Sequence, residues 1–211
     1  MRGFQVLHDS GKTLCFVGLT KANKILHKYF KTKRDTEIIS FEDVQTKDQT
    51  WFDSRQFMTI PADIALKVKI VEYINSCNGQ WFSVVDYSND IDEDHDVGRN
   101  VFISCYNTIS SNTIIRDHVY ISCFCTISGG VDLGEFDYIG PYTYCCFTKF
   151  GKGNMIGIRS SFVPGPNDPI ETADWCNFLM ESRVNMSIDK SGTYKGHRMH
   201  SDKTSLDIKI I

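Results

Sequence analysis

The sequence predicts two units in series: a small α/β unit with a parallel sheet, followed by an all-β coil of short parallel strands. Two observations carry this prediction. Strand-like and helix-like segments alternate over residues 13–85, and an aliphatic residue recurs at every sixth position over residues 97–139. Alternating strands and helices are typical of a parallel sheet, whereas a period of six suits neither a helical heptad nor a hairpin.

The composition of the 211-residue chain is that of an ordinary globular protein, with 41% hydrophobic and 23% charged residues and a formal charge of -3. A near-neutral charge offers no basic surface for nucleic acid or for an anionic membrane, so we expect neither as a partner. No apolar stretch approaches the roughly 20 residues of a membrane helix, and the first residues do not form a secretory signal. We therefore expect a cytoplasmic protein.

The eight cysteines do not have the spacing of a metal site. None forms the Cys-x2-Cys pair of a structural zinc site. Without a secretory signal we expect a reducing compartment, in which the thiols stay free. Because a buried free cysteine acts as a small apolar side chain, we predict no bound metal and interpret the cysteines as filling a narrow interior.

Three strand-like runs and two helix-like runs make up the N-terminal unit. Residues 13–18 form a short apolar strand that ends in glycine, a helix follows over 20–30, and a second strand covers 36–41. Residues 62–77 carry apolar side chains at helical spacing and predict an amphipathic helix, and residues 81–85 predict a third strand. This order predicts a small three-layer unit around a parallel sheet.

The coil is predicted by eight aliphatic residues spaced six apart. In seven of the eight hexads the next residue is Gly or Ser, which indicates a tight corner. One short strand and one corner per hexad, with three hexads per turn, make a triangular coil of 18 residues. The inward-pointing residues, each stacked on its equivalent one coil away, are Val97, Ile103, Ile109, Ile115, Ile121, Ile127, Leu133 and Ile139.

The end of the coil is predicted from a change in pattern. The register slips by one residue after Cys145 and resumes at Phe150, so we expect one extra bend there. Residues 163–169 are rich in Pro, Gly, Asn and Asp and predict a closing turn or a loop. We therefore expect an N-terminal domain at 1–90, the coil at 91–170 and a C-terminal extension packing on the coil at 171–211.

This combination resembles bacterial nucleotide-sugar acyltransferases, the family of sialic-acid O-acetyltransferases and of bacillosamine and perosamine N-acetyltransferases. The resemblance is carried by the hexads and by residues 133–139 (LGEFDYI), 156–164 (IGIRSSFVP) and 192–196 (GTYKG). It implies a Rossmann-like domain that binds a nucleotide-sugar and a left-handed parallel β-helix that binds acetyl-CoA as co-substrate. It also implies a homotrimer, with acetyl-CoA in grooves between adjacent coils.

The resemblance implies a nucleotide site at the turn after the first strand, where family members carry Gly-x-Gly-Gly-His or a close variant. Here residues 18–21 read Gly-Leu-Thr-Lys and keep one glycine. Because a charge or a hydroxyl suits a diphosphate, Gly18, Thr20 and Lys21 are candidate substrate-binding residues. Asp43, or its acidic neighbour, is the candidate for the base or ribose. A plain strand-to-helix turn with Thr20 as N-cap is an equally open interpretation.

The resemblance also implies a catalytic histidine five residues before the Gly-Glu-Phe segment, and this position is Gly129. The usual acidic neighbour falls at Gly130, and an asparagine from earlier in the coil falls at Ser122. A neutral amine attacks a thioester without a dedicated base, whereas an alcohol is a far poorer nucleophile. The missing histidine therefore favours N-acetylation, on the 4-amino group of a nucleotide-linked 4-amino-4,6-dideoxyhexose.

The acetyl-CoA side of the resemblance implies four further residues: Tyr138, Phe147, Tyr194 and Gly196. The oxyanion donor is expected from the backbone near Phe147. The C-terminal end of the family contacts the adenine end of CoA, and Tyr194 and Gly196 match that pattern.

Other interpretations stay open. His118, at a hexad corner, is the candidate for a relocated base, which would allow O-acetylation. The chain can also be a catalytically inactive trimeric scaffold that binds a nucleotide-sugar. A zinc hydratase on the same coil requires three converging histidines, and only His95 and His118 lie in or beside the coil.

Overall fold

The computed structural model describes residues 3–60, 63–93, 95–165, 168–195 and 209–210. The chain divides into two compact units. One spans Val6–Val84, and the other comprises the residues up to Gln5 together with the chain from Val85 onward. No helix in the described ranges is long and apolar enough to cross a membrane.

The first unit alternates strands with helices, as the sequence predicts. The elements, of which the first and last cross the unit boundaries, are β1 (Phe4–Leu7), β2 (Thr13–Val17), α1 (Lys21–Phe30), β3 (Thr36–Ile39), α2 (Phe41–Val44), α3 (Gln49–Asp53), β4 (Arg55–Thr59), α4 (Ile64–Ser76), β5 (Gln80–Trp81) and β6 (Ser83–Asp86). Four of these strands form a parallel sheet in the order β3-β2-β4-β5.

The sequence does not predict β4, although this strand lies in the middle of the sheet between β2 and β5. Its first two residues, Arg55 and Gln56, break the apolar run. Gln56 is nevertheless buried, and its side chain is held by two hydrogen bonds to the backbone at residues 8 and 10. The sheet core is aromatic, since Phe16 packs edge-on against Phe82 at 5.5 Å.

The order in which the chain adds strands to this parallel sheet reverses between β2 and β4. The connection through α1 leads from β2 outward to β3, and the connection through α4 leads from β4 outward to β5 on the other side. Because such crossovers are right-handed, the two helices belong on opposite faces of the sheet. The carboxyl ends of β2 and β4 therefore flank the point of reversal, where α/β sheets usually bind ligands.

The second unit is a parallel β-helix whose strands form three sheets. The strands are β7 (Asp90–Ile91), β8 (His95–Val97), β9 (Phe102–Ile103), β10 (Thr108–Ile109), β11 (Thr113–Ile115), β12 (Tyr120–Ile121), β13 (Thr126–Ile127), β14 (Asp132–Leu133), β15 (Tyr138–Ile139), β16 (Tyr144–Cys145), β17 (Thr148–Lys149), β18 (Met155–Ile156), β19 (Ser161–Phe162), β20 (Ile170–Glu171), β21 (Asn177–Phe178), β22 (Arg183–Val184), β23 (Thr193–Lys195) and β24 (Lys209–Ile210).

Each coil pairs with the next in the register that the hexads predict. Ile121 pairs with Ile139, and Ile109 pairs with Ile127, in each case 18 residues apart. These inward residues are at most 1% exposed. Since full burial of one such side chain contributes about 1.5–3 kcal/mol, the aliphatic ladder is the main source of the coil's stability.

The register slip has the opposite sense to the extra bend expected from the sequence. Ile127 lies five residues before Asp132, whereas its partner Cys145 lies only four residues before Lys149, the partner of Asp132. The corner after β16 is therefore one residue shorter than the corner below it. Phe147, in this short corner, adopts a φ of 43°.

The coil also extends beyond the range expected from the sequence. After the turn-rich segment the parallel pairing resumes at Ile170, and β20 to β23 continue it to Lys195. Residues 171–195 thus form a further part of the coil, where a separate extension was expected. The turn-rich segment does not close the coil, because the strands before and after it keep their register.

A fully buried carboxylate lies inside the coil. Asp137 is fully buried; its Oδ1 accepts a hydrogen bond from the Asn154 N–H at 2.7 Å and its Oδ2 accepts one from the Gly134 N–H at 2.8 Å. Burial raises the pKa of Asp137 well above the ordinary value of 3.8, although these two N–H groups oppose the shift. Asn154 occupies the equivalent position in the next coil. Its side-chain Oδ1 accepts a hydrogen bond from the Cys176 N–H at 2.7 Å, and its amide carries no charge.

We predict that Asp137→Asn removes a pH dependence of stability. Because the native pKa lies above that of the unfolded chain, the folded wild type binds the proton more tightly, and its free energy of unfolding falls as pH rises above about 4. The asparagine variant does not titrate, so its curve from urea unfolding between pH 4 and 8 is flatter. Glu135→Gln, in a partly exposed position of the same corner, serves as control and keeps the wild-type slope. Equal slopes for wild type and Asp137→Asn would contradict the prediction.

Candidate functional site

The glycine corner, residues 128–131, joins β13 to β14 and contains the position at which the resemblance implies a histidine. Gly129 has open space around it: an added Cβ would meet no atom closer than the Ser111 carbonyl oxygen at 3.4 Å. Gly130 differs, because its φ is 71° and an added Cβ would lie 2.8 Å from Cδ1 of Phe147. The corner therefore accepts a side chain at 129 and resists one at 130.

Phe147 lies one coil above the glycine corner and covers it. Its side chain is 59% exposed, and its backbone is in the left-handed region that bulky residues rarely adopt. The Phe147 N–H donates to the Gly129 carbonyl oxygen at 3.2 Å. The expected oxyanion donor near Phe147 is thus not supplied by the N–H of Phe147 itself, because that group already bonds to Gly129.

Three side chains gather at the glycine corner: Ser128, which belongs to it, and Tyr144 and Cys146 from the coil above. The Cys146 thiol raises the pKa of the Tyr144 phenol, burial adds a smaller contribution, and the Ser128 hydroxyl acts in the opposite direction. The three groups are therefore close enough to interact. The sequence gives one signal for Tyr144, since its strand partners Thr126 and Ser161 are small hydroxyl residues and the tyrosine breaks this column.

Ser122 lies at a different corner of the same coil, after β12. Its hydroxyl interacts with Tyr120, whose pKa is raised to about 12, mainly by burial. The ring of Tyr120 stacks on that of Tyr138, with centroids 4.8 Å apart and planes within 3°. Tyr138, a candidate for contact with acetyl-CoA, is thus half-buried on the outer face of its sheet beside Ser122.

His118 occupies the third corner of the coil and is buried. Its Nδ1 accepts a hydrogen bond from the Asn100 side-chain amide at 3.0 Å, and its ring stacks on Phe136 at 4.7 Å. This environment does not fit the relocated base considered above, since Nδ1 is engaged and the ring is enclosed. The three candidate catalytic positions, His118, Ser122 and Gly129, stand at three different corners, so one chain does not bring them together.

The structure gives Tyr194 a core position where an exposed contact with adenine was expected. The side chain is buried, its ring stacks on Phe178 at 5.5 Å, and its hydroxyl donates to the Lys190 carbonyl oxygen. Tyr194 pairs with Phe178 in register, so it faces inward like the residue below it. Gly196 lies outside the described residues.

The turn after β2 brings the candidate substrate-binding residues to the point of reversal in the α/β sheet. Gly18 has a φ of 97°, and its N–H donates to the Ile39 carbonyl oxygen at 2.8 Å. Thr20 is the N-cap of α1 and accepts a hydrogen bond from the Asn23 N–H at 3.2 Å. Lys21 is exposed in the first turn, which holds no acidic residue. This helix terminus therefore attracts an anion.

Asn23 fixes the shape of this turn, and the sequence does not single it out. Its side-chain amide donates to the carbonyl oxygens of Val17 and Gly18, both at 2.8 Å. The residue is fully buried, and its Oδ1 has no hydrogen-bond partner in the described part of the chain. A buried acceptor without a partner costs about 1–3 kcal/mol, so this turn carries a local cost in stability.

Asp43 lies at the same edge of the sheet but its carboxylate is already engaged. The Ser40 hydroxyl donates to Asp43 Oδ2 at 2.8 Å, and the Asp43 N–H donates to the Ser40 hydroxyl at 3.1 Å. This reciprocal pair begins the short helix α2. Asp43 is exposed, so it stays near the turn at Gly18 while acting as part of a helix cap.

In the described ranges, no group of three or more His, Cys, Asp or Glu side chains is placed to hold a metal ion. Both candidate areas are thus built from backbone groups, hydroxyls, a lysine and aromatic rings.

No family model and no curated protein matches the chain. Solved structures do resemble it. The acetyltransferase domain of PglB from Neisseria gonorrhoeae, in complex with acetyl coenzyme A, has a TM-score of 0.72 and 10% identity and matches 88% of this chain and 96% of that one. PerB from Caulobacter crescentus, in complex with CoA and GDP-perosamine, has a TM-score of 0.74 and 13% identity over 95% and 98% of the two chains. WeeI from Acinetobacter baumannii has a TM-score of 0.62 and 14% identity over 88% and 97%.

These likenesses establish the fold over nearly the whole chain. At 10% to 14% identity they do not carry residue roles across, so the function rests on this chain's own geometry. Residue 129, where the resemblance implies a histidine, has room for a side chain, whereas residue 130 does not.

We predict that alanine destabilises the fold at Gly130 but not at Gly129. Gly130→Ala lowers the free energy of unfolding by about 1–2 kcal/mol, because a Cβ is strained at a φ in the left-handed region. Gly129→Ala is the matched control, and it leaves stability unchanged or raises it by up to about 1 kcal/mol, since it reduces the freedom of the unfolded chain. Urea unfolding of the two variants measures both values. Equal destabilisation by both would show that the corner differs from the one described.

Proposed function

We propose that the chain transfers the acetyl group of acetyl-CoA to the 4-amino group of a nucleotide-linked 4-amino-4,6-dideoxyhexose. The observation that carries this proposal is the open glycine corner, where Gly129 replaces the base that an alcohol acceptor would need. The fold shared with PglB, PerB and WeeI supports acetyl transfer, since PerB was solved with CoA and GDP-perosamine and the PglB domain with acetyl coenzyme A.

An amine acceptor suits this corner for two physical reasons. A neutral amine attacks the thioester carbonyl carbon with its own lone pair, and its surplus proton leaves after the C–N bond has formed. The chain must then supply position and a donor for the oxyanion rather than a base. A Cβ added at Gly129 would meet only the Ser111 carbonyl oxygen within 4 Å, which leaves room for the acceptor, while Phe147 forms an apolar wall over the neighbouring Gly130.

The N-terminal unit is proposed as a Rossmann-like domain that binds the nucleotide-sugar. The turn at Gly18 supports this role, because the start of α1 carries Lys21 and Lys24 with no acidic residue, which suits a diphosphate. In contrast, the cap formed by Ser40 leaves Asp43 less free to bind a ribose.

The proposal includes a homotrimer. Ser122 and the glycine corner are at different corners of one coil, so a groove that uses both needs a neighbouring subunit. The rival interpretation as an O-acetyltransferase with a relocated base is disfavoured by the burial of His118. An inactive trimeric scaffold is an outcome of the test below.

We expect the protein to release free CoA thiol from acetyl-CoA when it is given a UDP-, GDP- or dTDP-linked 4-amino sugar, and not when it is given the matching 4-hydroxy sugar. The amine needs no base, whereas the hydroxyl does. Gly129→His restores a base at a position with room for it, and we expect it to raise thiol release with the hydroxy sugar at least a hundredfold. Gly129→Asn is the control, because it fills similar space without a base.

Two outcomes would contradict this. No thiol release with any amine acceptor would leave the inactive scaffold as the better interpretation. Faster release by the wild type with a hydroxy sugar would show that a base exists elsewhere in the molecule.

We also predict that Lys21→Ala raises KM for the nucleotide-sugar about ten- to a hundredfold while kcat stays within about threefold, as expected for the loss of one charge-assisted hydrogen bond to the diphosphate. Lys28→Ala, on an exposed position near the end of the same helix, is the control and leaves both constants unchanged. Steady-state kinetics with saturating acetyl-CoA measure the two effects. An unchanged KM in Lys21→Ala would remove this helix terminus from the proposed site.

A further inference from the structure

The glycine corner lacks two groups that acetyl transfer uses, and the structure provides a substitute for one of them. The base is absent at Gly129, and the N–H of Phe147 is bonded to the Gly129 carbonyl oxygen. An amine acceptor dispenses with the base, but the negative charge that develops on the thioester oxygen still needs a hydrogen-bond donor. A donor must therefore come from elsewhere near this corner.

Tyr144 is placed to act as that donor. It begins β16, one coil above Thr126, and its strand runs directly into Cys146 and Phe147. Its partners in register, Thr126 and Ser161, have shorter side chains. At 40% exposure the side chain is accessible to a substrate.

Two side chains lie beside the phenol. The Ser128 hydroxyl and the Cys146 thiol are close enough to the phenol to interact with it. The Cys146 thiol itself donates to the Phe162 carbonyl oxygen at 3.7 Å. Because sulfur is a weak acceptor, a hydrogen bond from the phenol to Cys146 is readily exchanged for one to an oxyanion.

We propose that Tyr144 is a catalytic residue, whose hydroxyl donates a hydrogen bond to the oxyanion formed when the amine attacks the thioester. This inference rests on the proposed function. In the step, the amine lone pair forms the C–N bond and the carbonyl π electrons move to oxygen, where the phenol O–H stabilises them. The carbonyl then reforms, the C–S bond breaks with its electron pair on sulfur, and the sulfur takes up the proton lost by the new amide nitrogen. Tyr144 keeps its proton throughout.

Tyr144→Phe tests the inference, because it keeps the ring and removes only the hydroxyl. We expect kcat to fall about a hundred- to a thousandfold, as for loss of one oxyanion donor, with KM for both substrates within about threefold. The affinity for CoA, measured by calorimetry, stays unchanged. Tyr87→Phe, at an exposed tyrosine before the coil begins, is the matched control and leaves turnover unchanged.

A second measurement separates donation of a hydrogen bond from a packing role. Fluorotyrosines of increasing phenol acidity are introduced at position 144 and assayed at a pH where each phenol remains protonated. We expect turnover to change progressively with phenol acidity, whereas a packing role predicts no such dependence.

The outcomes are distinct. If the wild type turns over and Tyr144→Phe retains turnover within about threefold of the wild-type value, this inference alone is overturned. The same holds if turnover does not depend on phenol acidity. Absence of turnover by the wild type with every amine acceptor overturns the proposed function, and this inference with it.

Discussion

The second unit depends on one constraint: parallel pairing stacks each residue on the residue one coil away, usually 18 positions along the chain. Stacking of like on like makes the inward aliphatic ladder continuous, and it also repeats on the outside. At two corners the residue with positive φ is aromatic in successive coils, and the rings stack, as Phe124 does on Tyr106 at 5.2 Å and on Tyr142 at 5.1 Å. A left-handed conformation costs a non-glycine residue about 1–2 kcal/mol, and ring contact between coils offsets part of that cost.

The same constraint decides which residues meet in a site. Residues one coil apart stack and touch, whereas residues six apart stand on different sides of the triangle. This is why Ser128, Tyr144 and Cys146 gather at one corner although 16 to 18 residues separate the first from the others. It is also why His118 and Ser122, only a few residues apart, stand at different corners. In such a coil, contact between two residues depends on the period of the coil much more than on their separation in the sequence.

The hexads predict the strands, the inward ladder and the register, because one repeated physical cause acts at every coil. They do not predict departures from the period. The corner at Phe147 is shorter by one residue, and the connection from β19 to β20 has more residues than a regular corner. Neither stops the coil, since pairing on both sides restores the register. Tyr194 was expected at the surface from a motif, but its register with Phe178 turns it inward. In the α/β unit, β4 escapes prediction because buried Gln56 satisfies its amide with distant backbone groups.

The glycine corner loses its base and its main-chain donor for different physical reasons. The base is missing because residue 129 is glycine. The donor is engaged by the regular geometry of the coil, since the Phe147 N–H bonds to the Gly129 carbonyl oxygen just as the Phe124 N–H bonds to the Cys105 carbonyl oxygen at a corner without glycine. The ring of Phe147 occupies the space that a side chain at 130 would need. Hydrogen-bonding chemistry at this corner is therefore left to side chains, and Tyr144 has a longer side chain than its partners in register, Thr126 and Ser161.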